Sequence, residues 1–164
     1  MKRILLAAAA LAAFAAVSPA LADSVNGASA NGTAAVTIFT PITVTQTQGL
    51  DFGTITSGAN GSVAINPNSG ARNVAGGVGA VAADVGQQGT FAVTGQSNAA
   101  INVVVGSAIT GFGGGITGST LPSTLPVVLN GQSATFAVGG SLNIPANTLA
   151  GAYSGTYTVA VNYP

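Results

Sequence analysis

The chain has 164 residues, of which 48 % are hydrophobic and only 4 % charged, and it contains no His, Cys or Trp. Ordinary soluble domains carry about 25 % charged residues. Without imidazole or thiol there is no such base, nucleophile, thiolate metal site or disulfide. Three scattered Asp residues are a poor supply for paired-carboxylate chemistry, and three basic residues cannot line a nucleic-acid backbone. The composition points to a protein that is not an enzyme, needs no cofactor, binds no nucleic acid and works by contact. High hydropathy with low charge also argues against charge-driven disorder.

The first element is a targeting segment. Lys2 and Arg3 precede an uninterrupted apolar run from Ile4 to Val17, then Ser18-Pro19 and Ala20-Leu21-Ala22. This is the layout of a secretory signal peptide, residues 1–22, cleaved after Ala22. A membrane anchor is the other reading, although the run falls short of the roughly 20 residues a spanning helix needs. After cleavage Arg72 faces Asp23, Asp51 and Asp84, and no second stretch is long enough to anchor the chain in a membrane. The expected route is export through the inner membrane, transit through the periplasm, and residence at the cell surface or in an extracellular fibre.

Residues 23–40 form an N-terminal extension, and residues 41–164 the main domain. Within the extension, Ala28 to Phe39 alternates. Ala28, Ala30, Gly32, Ala34, Val36 and Ile38 make an apolar row that grows larger toward Ile38, while the other row is mostly polar. An extended strand places such rows on opposite faces, so this segment can lay one row into a groove. Pro41 marks its boundary.

The domain reads as period two almost throughout, with turn signals about every ten residues, the pattern of an all-β sandwich. Strands are expected at 42–47, 50–55, 62–66, 90–94, 100–105, 125–129, 134–138, 141–144 and 153–163. Turns are expected at Ala59-Asn60-Gly61, Asn66-Pro67-Asn68-Ser69-Gly70, Asn130-Gly131 and Gly139-Gly140. Residues 70–89 read as a weak strand or loop, and 111–118 as a flexible connector. Arg72 reads as a solvated loop charge, and Asp51 and Asp84 as turn or edge residues, because calcium wants clustered oxygens. The C-terminal segment places Tyr157, Val159, Val161 and Tyr163 on one face, fit to border a groove.

The stretches Thr40-Pro-Ile-Thr-Val44, Leu50-Asp-Phe-Gly-Thr-Ile55, Ile65-Asn-Pro-Asn-Ser-Gly-Ala-Arg72, Phe91-Ala-Val-Thr-Gly-Gln-Ser-Asn98 and Ala150 to Tyr163 resemble a family of secreted proteobacterial β-domains of unassigned function, often found near chaperone and usher components. The ending is also similar to that of chaperone–usher pilins, with Tyr163 penultimate and Gly151 fourteenth from the end. Departures are the missing disulfide and the small residues Ala28, Ala30 and Gly32. The resemblance implies an immunoglobulin-like antiparallel β-sandwich, incomplete by one strand, with the N-terminal segment as donor strand to a neighbour. The donor row would be Ala28, Ala30, Gly32, Ala34, Val36 and Ile38, and the groove edge Gly151, Tyr157, Val159, Val161 and Tyr163. Burying Val36 and Ile38 would contribute roughly 3–6 kcal/mol. Implied partners are identical or related subunits, a periplasmic chaperone and an outer-membrane usher. The expected function is a structural subunit of a surface fibre or coat. Two alternatives stay open: a self-contained secreted β-domain in which 28–39 is the first strand, and an adhesive or carbohydrate-binding surface module.

Overall fold

The computed structural model describes residues 27–164; the expected signal peptide and the first residues of the extension lie outside them. Thr37–Pro164 forms one compact unit. It is all-β, with nine strands and no helix among the described residues: β1 (Thr43–Gln48), β2 (Ile55–Ile65), β3 (Arg72–Ala80), β4 (Gly89–Thr94), β5 (Asn102–Val105), β6 (Ala108–Ile109), β7 (Thr117–Pro122), β8 (Ser133–Ile144) and β9 (Val159–Asn162).

Every pairing is antiparallel. The large sheet runs β1-β4-β8-β2-β3, with β7 on β8 and β6 on β7, while β5 and β9 pair separately. β8 is the spine. β4 pairs with its first half, Ser133–Val138. β2 pairs with its second half, Gly140–Ile144, and β7 with Val138–Asn143.

This spine corrects one expectation. Gly139-Gly140 does not end a strand; β8 runs straight through it, and neither glycine has a positive φ. The pair is there for close approach, because a Cβ on Gly139 would fall on the Ile65 carbonyl oxygen and 2.8 Å from the Pro67 nitrogen. Further corrections follow the same logic. Residues 59–61 lie inside β2, where a register shift between Ser57 and Gly61 absorbs them as a bulge rather than a turn. Residues 72–80 are a full strand despite their glycines, because β2 supplies the ladder. Residues 50–55 keep only the bridge Asp51–Gln87 before β2 starts, and 125–129 only the bridge Ala100–Val128. The expected turn at Asn66–Gly70 is present: Asn66 Oδ1 accepts from the Asn68 and Ser69 amides, and Gly70 sits at φ 69°.

Alternation explains the core. Phe91 and Val93 of β4, Phe136 and Val138 of β8, Val103 of β5, and Ile101 and Leu129 from neighbouring segments bury one apolar cluster between the large sheet and the β5–β9 pair. Phe91 and Phe136, cross-strand partners, stack at 5.4 Å. A second cluster joins Val63, Val78, Ile109, Leu142 and Ile144. Tyr157 packs against both.

For the segment at 28–39 the sequence leaves two readings, a donor strand and a first strand of the domain itself. No ladder includes it, and every residue from Ala28 to Thr40 is exposed. Val36 and Ile38 are 83 % and 84 % exposed, the highest values among the large hydrophobic side chains. A strand needs a neighbour's amides and carbonyls, and within the described chain this segment has none in ladder register.

Candidate strand-binding groove

Neighbouring strands are hydrogen-bonded around most of the sandwich. β1 joins β4, β4 joins β8, β8 joins β7 and β7 joins β6. Thr110, just past β6, bridges Thr156, Gly106 N–H donates to the Thr158 carbonyl, and β5 pairs β9. The circuit stops there. Between β9 and β1 no ladder is present among the described residues, although the two come within 8 Å between Cα atoms. One edge of β1 and one edge of β9 therefore face each other unpaired. A strand edge left in this way is a template for another chain.

The two strands run in opposite directions. Tyr163 lies beside Thr40 and Gly95, at the start of β1, whereas Tyr157 lies beside Gly89 and Leu50, at its end. A cavity of ≈ 300 Å³ opens between them, lined by Val44, Gln46, Leu50, Phe91, Tyr157 and Val159. A larger one of ≈ 550 Å³ shares Leu50, Gly155 and Tyr157 with it and continues over the second apolar cluster. Ile109, Leu142 and Ile144 contribute to its lining, together with Phe52, Phe112 and Tyr153. The first forms a trough between β1 and β9; the second adjoins it at those shared residues and has no residue of β1 or β9 in its lining.

The residues just before β1 and the last residues of the chain are tied together at Tyr163. The Tyr163 hydroxyl accepts from the Gln96 amide at 2.7 Å and donates to the Thr40 carbonyl at 2.8 Å. The Phe39 ring meets the Tyr163 ring edge-on at 5.2 Å. This latch ties the root of the N-terminal segment to the last residues of the chain.

The residues expected at the groove edge are brought onto one side of the C-terminal segment. Tyr157, Val159, Val161 and Tyr163 alternate inward and pack against the first cluster. Tyr157 and Val159 line the narrow cavity, Gly151 lines the wide one, and Tyr163 forms the latch. The Tyr157 ring meets Phe91 edge-on at 6.1 Å. Its hydroxyl is buried without a hydrogen-bond partner. That burial pushes the phenol above its ordinary range, with the Gln46 side chain opposing weakly and completing no bond. Of the expected donor residues, Ala28, Ala30, Gly32, Ala34, Val36 and Ile38 are all exposed.

Sequence reasoning missed the corner that shapes the larger cavity. Asp51, Arg72 and Asp84 are the charged residues of the described chain, and they gather on the segments 50–54 and 81–86. Arg72 is half-buried rather than solvated. Its guanidinium donates to the carbonyls of Phe52 (3.3 Å), Thr54 (3.1 Å) and Val81 (2.8 Å). Asp51 Oδ1 accepts from the Gly53 amide, and Asp84 Oδ2 from the Thr54 hydroxyl. The Thr54 hydrogen bond, more than the Arg72 charge, holds the Asp84 carboxyl below its usual range. Phe52 and Thr54, both lining the wide cavity, are thus held from behind. The rarity of charge was the available signal, since so few ionised groups on an apolar chain gain by satisfying one another's loops.

The geometry defines a class: an all-β sandwich built from antiparallel sheets. The chain matches the domain of unknown function DUF4402 over residues 42–163, and it belongs to that family. No curated protein and no solved structure matches it.

Proposed function

We propose that this chain is an exported structural subunit of a cell-surface fibre or coat, and that it assembles by lending its N-terminal segment to the lane between β1 and β9 of a neighbouring copy. The observation that carries this reading is the trough beside β9, bounded by unpaired strand edges, in a chain that also bears an unpaired segment with an alternating apolar row. Strand addition would satisfy the edge amides and carbonyls and cover the apolar floor at once. Because donor and acceptor surfaces differ, repetition need not close on itself and gives a filament. A chaperone holding the lane before assembly, an usher and export by a cleaved leader belong to the same proposal.

The test deletes residues 24–38 from the exported protein, which spares Phe39 and the latch. Light scattering should find a folded monomer where the full chain forms polymers. Polymers of unchanged size would overturn the proposal. The alternative of an adhesive or carbohydrate-binding module draws on the ≈ 550 Å³ cavity with Tyr153 and Phe112 in its lining, a volume within the roughly 300–1,000 Å³ of ligand sites. Glycan binding by the deletion monomer would favour it.

A further inference from the structure

Among the described residues the dipeptide Asn-Gly occurs at 31–32, 60–61 and 130–131, and the fold treats each copy differently. Asparagine followed by glycine is chemically labile. The glycine amide nitrogen can close on the asparagine side-chain carbon, because no Cβ stands in the way and the glycine backbone turns freely. Closure needs a nitrogen that is not held in a hydrogen bond and a main chain free to bend back toward its own side chain.

Two copies are held. Gly61 is paired with Gly76 on one side and Ile144 on the other, and Asn60 Oδ1 accepts from the Ala146 amide at 2.6 Å. The Gly131 amide donates to Asn98 Oδ1 at 3.3 Å, its carbonyl accepts from the Asn98 amide at 2.9 Å, and Asn130 bridges Ser133. Closure at either place first requires the local structure to open. Asn31 and Gly32 are different. Both are exposed, no strand includes them, and no hydrogen bond among the described residues involves them. A Cβ built on Gly32 meets nothing within 4 Å.

We infer that Asn31 is a self-modification site, at which the N-terminal segment deamidates without an enzyme. The Gly32 nitrogen bonds to Asn31 Cγ and gives up its proton; the bond from Cγ to the side-chain nitrogen breaks, and ammonia leaves with that proton. Water then opens the cyclic imide at either carbonyl carbon, so one water is consumed for each ammonia released. One product is aspartate. The other is isoaspartate, whose main chain runs through the former side-chain carbon. Both place a carboxylate on residues 28–39, which carry no charge. Isoaspartate also lengthens the main chain by a carbon, so the period-two alternation loses step there. Ala28 and Ala30 then no longer share a face with Ala34, Val36 and Ile38, and the apolar row is cut in two wherever it pairs. This chemistry is independent of strand donation.

The test follows the three sites by peptide mapping, with fragmentation that separates Asn31 from Asn26. It uses the full-length exported chain, diluted until light scattering shows monomers, beside a sample unfolded in guanidinium. Unfolded, the three sites should react at similar rates. Folded, Asn31 should keep its unfolded rate while Asn60 and Asn130 fall behind by roughly tenfold or more. Gly32→Ala should slow the reaction at 31 severalfold without moving Tm, since the added methyl meets no neighbour. An Asn31 as slow as Asn60 in the folded monomer, or one indifferent to Gly32→Ala, would overturn the assignment.

Discussion

Tyr163 offers the sharpest test of how the open lane is bounded. Tyr163→Phe removes one oxygen and keeps the edge-on contact with Phe39. It deletes two hydrogen bonds, from the Gln96 amide and to the Thr40 carbonyl. Each is worth about 0.5–1.5 kcal/mol net. The Thr40 carbonyl is exposed and water can replace its partner, whereas Gln96 is half-buried. The expected cost is therefore about 1–2 kcal/mol, which at roughly 4 °C per kcal/mol lowers Tm by about 4–8 °C. The loss is also local: exchange of the Gln96 amide should quicken by roughly fivefold or more, while amides in the β4–β8 ladder follow only the global change. Thermal unfolding and amide exchange read the two effects. A Phe variant with unchanged Tm and unchanged Gln96 exchange would refute the latch as a holding contact.

Four other outcomes follow from the packing. Arg72→Met strips hydrogen-bond donors from the carbonyls of Phe52, Thr54 and Val81 and should cost about 1–3 kcal/mol in urea unfolding. Gly139→Ala drives a methyl into the Ile65 carbonyl and the Pro67 ring, backbone-bound groups that cannot yield, so a loss of about 1–3 kcal/mol or more is expected by the same measurement. Tyr157→Phe removes a buried hydroxyl that has no partner and should leave stability equal or slightly higher; a marked loss would mean that the hydroxyl is bonded after all. Asp84 is held below its ordinary value of 3.8. Its contribution is complete above that pH and fades as pH falls below it through the depressed native value, so Asp84→Asn should flatten the acid limb of a pH–stability titration.

Much of the fold was legible because alternation survives wherever one face is buried. Phe91–Val93 and Val159–Val161 show it plainly, and both lie in strands where expected. What escaped was decided by neighbours rather than by local preference. Gly139-Gly140 has the composition of a turn, yet the Ile65 carbonyl at the first position and the Ser119 carbonyl of β7 at the second leave no room for side chains there. Residues 125–129 have strand-like composition but meet only a single bridge. The alternation of Ala28–Ile38 is equally real, yet periodicity reports what a segment could pair with, not whether the partner lies in the same molecule. For the candidate groove, the C-terminal row was readable from the sequence. The Arg72 corner was signalled only by the rarity of charge, since its acceptors are main-chain oxygens, which leave no imprint on side-chain identity.

The placement of β8 has a mechanical corollary. Phe136 and Val138 sit in one apolar cluster, Leu142 and Ile144 in the other, and a single uninterrupted strand carries all four. Neither half can peel away without dragging bare hydrocarbon of the other into water. The sandwich should accordingly lose its structure in one concerted step, with no half-melted state to accumulate on the way.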